Sequence, residues 1–366
     1  MKLFEISNYL DTRVPLALQE KYDNCGLLIG DKQIEISSVL ICLDCTEQVL
    51  EEAVKKKHNL IISHHPLLFR SIKRITGSNY VEKIIKKAIK HDIAIYEMHT
   101  NLDNIYGGVS FEISKKLSLK NTSILRPKNN ALSKLVTYCP SDSTERIKET
   151  LFNNGAGKVG LNYDECSFTS KGIGSFRPLS SANPFSGQIG LRSSEDEDRI
   201  EIIFPTYLRE QVISSLEECH PYEEVAYQSF EIQNSNQSIG LGVIGEMENT
   251  MKLKDFLAYV KKKMKCNVIK YTPNKKIKEI KRVAICGGSG SFLLQDSIIR
   301  KADVYISSDF KYHDFFDSDG KIIIFDIGHY ESEYFTQDLI LRILKEKFSK
   351  LDVRLTSVCT NPILYY

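Results

Sequence analysis

The sequence predicts an α/β fold: a discontinuous α/β domain that carries an inserted small α+β domain. Three observations predict it. Short apolar runs rich in Ile and Val alternate with amphipathic helical segments towards both ends of the chain. That rhythm breaks in the middle and returns from about Gly240. Histidines and carboxylates follow the apolar runs directly, at the place where an open α/β sheet presents its ligand crevice.

Taken in order, Leu3 to Leu10 reads as a helix and Val39 to Leu43 as a strand. Thr46 is a fitting N-cap for a helix to Lys57, with Val49, Leu50 and Ala53 at helical spacing. Leu60 to Ser63 is a strand, Val81 to His91 an amphipathic helix, Ile93 to Tyr96 a strand and Val109 to Leu117 a helix. This βαβα order predicts a parallel or mixed sheet under covering helices, and it assigns residues 1–125 to the first half of the domain.

The order then changes. Leu135 to Tyr138 reads as a strand and Ser143 to Asn153 as a helix, followed by a glycine-rich stretch from Gly155 to Gly174 and a loop from Pro178 to Gly190. Ile200 to Phe204 is a strand, Tyr207 to Cys219 a helix and Val225 to Ile232 a strand. A βα unit followed by ββαβ predicts a small module with an antiparallel sheet over residues 126–237, with Gln233 to Ser238 as its exit linker. The second half of the α/β domain spans 238–366. It has a helix at Leu253 to Met264, strands at Val283 to Ile285, Val304 to Ile306 and Ile322 to Phe325, and a closing helix at Thr336 to Phe348.

Bulk properties narrow the function. The 366 residues suggest about two domains. With 49 Lys+Arg against 47 Asp+Glu, the formal net charge of +2 argues against nucleic-acid binding by bulk charge. The lysine triplets 55–57 and 261–263 lie on helix surfaces and read as solvated faces. No apolar stretch approaches the roughly 20 residues that span a bilayer. The N-terminus lacks a signal-peptide pattern, so no membrane partner and a cytoplasmic location are expected. Nine scattered cysteines fit reduced thiols. Cys42-Leu43-Asp44-Cys45 is formally C-x-x-C, but no second pair supports a zinc site.

The chemistry gathers at strand ends. Ile61-Ile62 leads into Ser63-His64-His65-Pro66, Ile93 to Tyr96 leads into His99 and Asp103, and Ile322 to Phe325 leads into His329 and Glu333. Adjacent His64 and His65 can point to opposite faces, because side chains alternate along a strand. His329 and Glu333 share one face if a helix starts there. His64, His65, Asp103, His329 and Glu333 are therefore the candidate ligands of a metal site. Mixed imidazole and carboxylate donors suit Zn, Fe or Mn, and this many ligands can serve two divalent ions bridged by a carboxylate, either Glu333 or Asp103. His99 reads as a ligand, a partner of a ligand or a substrate contact, His313 as a general acid or base or a substrate contact, and either is a candidate to shuttle protons in catalysis. Asp309, together with Gly288 and Ser289 in the Gly287–Ser291 turn, is a candidate substrate contact, the turn offering backbone N–H groups to a phosphate. His58 and His91 each end a lysine-rich helix, where positive charge is favoured, and read as structural. His220-Pro221-Tyr222-Glu223-Glu224 reads as a strand-entry turn that shapes the middle module.

Tyr22 to Gly30, Ser63-His64-His65-Pro66, His99 to Asp103, Asp309 to Asp314 and Gly328 to Glu333 together resemble the GTP cyclohydrolase I type 2 homologues, also called the Nif-three-like dinuclear metal-centre proteins. The middle module resembles the insert of longer bacterial members through Asn154 to Gly157, Asn162 to Phe168 and His220 to Glu224. The resemblance implies that His64, His65, Asp103, His329 and Glu333 hold the two metal ions. It also implies a ring-shaped homohexamer and an insert akin to small PII- or CutA-like modules. A Trp usual in the first motif is Tyr22 here, and a Thr-Gly before Asp309 is Ser307-Ser308. The function expected is a metal-dependent hydrolase of a small, nucleotide-like substrate. The alternative is a metal-binding regulatory or scaffold protein forming a ring.

Overall fold

The computed structural model describes all 366 residues. The chain divides into two compact units, residues 1–126 with 240–366, and residues 127–239.

The first unit contains two sheets. One has five strands in the order Gly26–Ile29, Ala94–Glu97, Leu60–His65, Ser38–Asp44 and Asp352–Leu355. All neighbours are parallel except Gly26–Ile29, which is antiparallel to Ala94–Glu97. Its central strands are buried on both faces and read as continuous Ile, Leu and Val runs, as parallel strands between helices must. On one face Leu3, Ile6 and Leu10 of the helix Leu3–Arg13 pack with Ile340 and Leu344 of the helix Thr336–Lys347 against Val39, Ile41, Leu60 and Ile62. On the other face Val49, Leu50 and Ala53 join Ile84, Ile85 and Ala88 against Leu40, Ile61 and Ile95. The Thr46 side chain accepts the Val49 N–H and caps the helix Glu47–Lys56, as its sequence position predicts.

The second sheet has six strands in the order Lys270–Tyr271, Ile323–Asp326, Val304–Ser308, Glu279–Ser289, Asn236–Lys252 and Lys120–Lys128. Its three central strands are parallel. Phe256, Val260 and Met264 of the helix Leu253–Met264 cover one face of it. Two sequence expectations change here. Asn236, placed in a polar linker, opens a 17-residue strand. The Gly287–Ser291 turn is largely strand, because Glu279–Ser289 continues past both glycines, with a break in register between Ile285 and Ser289, to pair Ser289 with Ser308.

The second unit has a four-stranded antiparallel sheet in the order Ser167–Phe176, Ser193–Pro205, Leu132–Pro140 and Tyr227–Ile232. The helices Thr144–Asn153 and Arg209–Cys219 cover one face, with Ile147, Leu151, Val212 and Leu216 packed on Leu135, Ile200, Ile202 and Phe204. The chain order βαββαβ is that of a ferredoxin-like module. No helix in the chain is long and apolar enough to cross a membrane.

Candidate metal centre

In the first unit, the carboxyl ends of both sheets converge. His64 and His65 close the strand Leu60–His65, and His99 follows Ala94–Glu97 as the residue before the short helix Thr100–Asn104 that carries Asp103. His329 and Glu333 are the ends of the helix His329–Glu333, which starts just after the strand Ile323–Asp326. Donor atoms lie within 4.8 Å of one another in three sets: His64, His65 and His99; His65, His329 and Glu333; His64, Asp103 and Glu333. Glu333 stands in two of these sets, as do His64 and His65.

The imidazoles are held from behind. His64 Nδ1 lies 2.7 Å from the Met98 carbonyl oxygen, so Nδ1 carries the proton and donates it there. His65 Nδ1 is 2.7 Å from Asp44 Oδ1, His99 Nδ1 is 2.9 Å from Asp23 Oδ1, and His329 Nδ1 is 2.5 Å from Asp309 Oδ2. In all four rings Nδ1 is engaged, which leaves Nε2 to face the cluster. Outer partners of this kind fix tautomer and ring angle in metal sites. These partners are themselves anchored: Asp44 Oδ2 accepts from Thr360 Oγ1 at 2.6 Å, and Asp23 accepts from the Thr100 N–H at 3.0 Å and from its hydroxyl.

The Nε2 atoms of His65 and His329 reach Glu333 Oε2 at 2.8 and 2.9 Å and lie 3.3 Å from each other. Burial alone would lower the His65 imidazole, but the Asp44 and Glu333 carboxylates outweigh it and raise it to about 10. His329 is likewise lowered by burial, yet raised overall to about 11 by Asp309 and Glu333. Glu333 is buried, which opposes ionisation, but the surrounding imidazoles hold its carboxyl well below the usual range. Asp103 goes the other way: burial and the Glu333 charge push it up to about 7.

These residues fit a cation. His64 Nε2 and Asp103 Oδ1 are buried and have no hydrogen-bond partner, and His64 Nε2 is 3.8 Å from Glu333 Oε1, beyond hydrogen-bond range. Leaving such groups bare costs about 1–3 kcal/mol each, more when charged. A cation among them would satisfy both.

The glycine between the sheets has a structural task. Gly288 has φ 61°, and a Cβ there would lie 3.0 Å from Glu333 Cδ and nearer still to Oε1. Its N–H donates to Ser332 Oγ, while its carbonyl accepts from Ser307 Oγ and Ser308 Oγ. Gly288 therefore has no free N–H for a phosphate, and the two serines that replace Thr-Gly bind this carbonyl. Ser289 is exposed at the strand end. Asp309, with φ 59°, spends its carboxylate on His329 and acts as an orienting group. His313 is exposed on the turn Tyr312–Ser318, with its ring against Tyr312 and Phe316, and belongs to none of the three donor sets. His58 is buried: Nδ1 lies 2.5 Å from Ser38 Oγ, and burial lowers its pKa.

Sequence reasoning missed Asp44, Asp23 as a partner of His99, and Glu97. Asp44 is the cross-strand neighbour of His65, a relation visible only once strand register is known. Glu97 is buried, accepts the Leu67 N–H at 2.5 Å through Oε1, and has Oε2 unpartnered. Burial pushes its carboxyl up to about 9, so it is neutral at pH 7.

The fold and the cluster define an α/β protein with an oxygen- and nitrogen-lined candidate metal centre at its strand ends. The chain belongs to the Duf34/NIF3 (NGG1p interacting factor 3) family, whose model matches residues 1–362. It is 37% identical over 370 residues to a Staphylococcus aureus (strain MSSA476) protein called GTP cyclohydrolase 1 type 2 homolog, covering 100% of both chains. A Bacillus subtilis (strain 168) protein of the same name is 37% identical over 349 residues, covering 95% of this chain and 90% of that one. Among solved structures, a Bacillus cereus protein related to NIF3 matches with a TM-score of 0.86 at 33% identity, covering 100% of this chain and 99% of that one.

Proposed function

We propose that this protein is a dinuclear metal-dependent hydrolase acting on a small, nucleotide-like substrate. The observation that carries the reading is the shared Glu333 carboxylate. It joins His65 and His329 on one side and His64 and Asp103 on the other. One divalent ion would be held by His65, His329 and Glu333, a second by His64, Asp103 and Glu333, with Glu333 common to both. Zn, Fe and Mn suit such mixed donors. Two such ions, when bound, supply Lewis acidity and lower the pKa of a water towards neutrality.

The chain's own residues do the rest. Asp44, Asp23, Asp309 and the Met98 carbonyl keep each Nε2 aimed inward. His99, partly exposed where His64 is fully buried, would exchange a proton with substrate at Nε2. Phe69, whose ring is 6.5 Å from His99 and 6.1 Å from Tyr22, gives the exposed rim aromatic faces suited to a base. The name borne by the relatives points to hydrolytic opening of the guanine imidazole ring of GTP as the first reaction to assay. A cytoplasmic ring of six copies belongs to the same reading and rests on the family resemblance.

The test is turnover of GTP and other phosphorylated metabolites by metal-loaded protein. Hydrolysis that vanishes in the His64→Ala, Glu333→Ala double variant is the expected result. Absence of turnover, or turnover that survives the double substitution, overturns the hydrolase reading.

A further inference from the structure

The inserted unit holds a cavity of about 900 Å³ that plays no part in the chemistry above. Its position follows from strand alternation. Along Ser193–Pro205, Ile200, Ile202 and Phe204 face the helices, so Glu197 and Arg199 face the other way. On the neighbouring edge strand, Gly172 pairs with Glu197 and Ser170 with Arg199. Gly172 and Gly174, two residues apart, share that helix-free face. Glycine in a strand interior weakens the strand and often marks the close approach of a ligand. Nothing lies within 4 Å of the place a Gly172 Cβ would occupy. Gly174 makes room for Glu197, whose Oε2 lies where a Gly174 Cβ would point. Gly172 thus leaves the floor of the cavity open, and Gly174 seats the Glu197 carboxylate in it.

The roof explains His220-Pro221-Tyr222-Glu223-Glu224. His220 Nε2 donates to the Tyr138 carbonyl at 3.0 Å and Nδ1 accepts the Tyr222 N–H at 3.1 Å. Both ring nitrogens are spent on the backbone, so His220 is a lock and not a metal ligand. It sets Tyr222, whose hydroxyl donates to Glu197 Oε1 at 2.8 Å and whose ring stands 5.8 Å from that of Phe185. Glu223 accepts the Asn183 N–H through both oxygens, at 2.9 and 3.0 Å, and ties down the loop that carries Phe185. Arg199 is engaged with Glu201 at 2.8 Å. Glu197 Oε2 is left without a hydrogen-bond partner beside the rings of Tyr138, Phe185 and Tyr222, and the Ser186 hydroxyl, buried without a partner, and the Lys171, Arg177 and Glu224 side chains also line the cavity.

We propose that this cavity binds a planar nitrogen heterocycle with an amino edge, the class that includes amino-bearing nucleobases and their nucleosides. The aromatic faces stack on the ring, and Glu197 accepts the amino N–H in a charge-assisted hydrogen bond.

The test is calorimetric titration of the full-length protein with adenosine, guanosine and cytidine, with purine riboside, which lacks the amino group, as the control. At least one amino nucleoside binds saturably, one per chain. Its affinity falls about tenfold in Glu197→Ala, and purine riboside binds the native protein correspondingly worse than adenosine. Gly172→Val, which fills the floor with a strand-favouring residue, abolishes binding while the circular dichroism spectrum is kept. The His64→Ala, Glu333→Ala protein still binds the nucleoside, which separates this site from the metal centre. Failure of all three nucleosides to bind, or binding that Gly172→Val and Glu197→Ala leave intact, overturns the assignment.

Discussion

Replacing Gly288 with Ala probes how tightly the backbone of the second sheet is moulded around Glu333. Two effects combine at this residue. Its φ of 61° lies in the left-handed region, where an L side chain costs roughly 1–2 kcal/mol. Its Cβ would also intrude on Glu333, 3.0 Å from Cδ. Glu333 is only 3% exposed, so making room for a Cβ moves its carboxylate away from the imidazoles. Gly320 separates the two effects: its φ is 63°, and nothing lies within 4 Å of its would-be Cβ. Gly320→Ala should lose about 1–2 kcal/mol in urea denaturation from backbone strain alone, and Gly288→Ala more than that. Only Gly288→Ala should also lose metal affinity, by roughly 10–100-fold in competition with a chromogenic chelator, as when a supporting group beside a metal ligand is disturbed. Equal metal affinity in the two variants would refute the argument that Gly288 exists to seat Glu333.

Three further outcomes follow from the same geometry. Asp44→Ala frees His65 Nδ1 and should weaken metal binding about 10–100-fold with little loss of fold stability, read from chelator competition beside a thermal melt. With His65 and His329 raised to about 10 and 11, both are protonated at neutral pH in stripped protein. Metal uptake should then release roughly two protons, measured by calorimetry in buffers of different ionisation enthalpy. Metal affinity should climb with pH. The stability that these protonated rings give stripped protein is complete below the ordinary histidine value of about 6.5 and is lost as pH rises through about 10 and 11. In the inserted unit, Leu151→Ala opens the helix–sheet core and should cost roughly 2–5 kcal/mol by denaturant titration while metal content stays the same.

Much of this architecture can be read in one dimension. Residues such as Ile61-Ile62 and Ile322 to Phe325 announce buried parallel strands, and the polar residues behind them announce the crevice. His64 and His65 were legible because adjacency on a strand forces divergence, and His329 with Glu333 because four residues make one helical turn. Asp44 was not legible. It stands beside His65 only through the register of two parallel strands, and no local spacing encodes that register. Asp309 followed a strand as expected, but its left-handed backbone turns it to His329. His313 stands on an exposed 3-10 turn, where i, i+4 spacing from Asp309 does not place two side chains on one helical face. The glycines at 287 and 288 suggested a phosphate-cradling turn, whereas they form an irregular stretch of the strand between Ile285, paired with Ile306, and Ser289, paired with Ser308.

Anomalous scattering from crystals of the metal-loaded protein addresses the heart of this account. It predicts two peaks per chain with the Glu333 carboxylate between them, one beside His65 and His329, the other beside His64 and Asp103, and loss of both in Glu333→Ala. A single peak, peaks remote from these side chains, or two peaks that persist without Glu333 would contradict it.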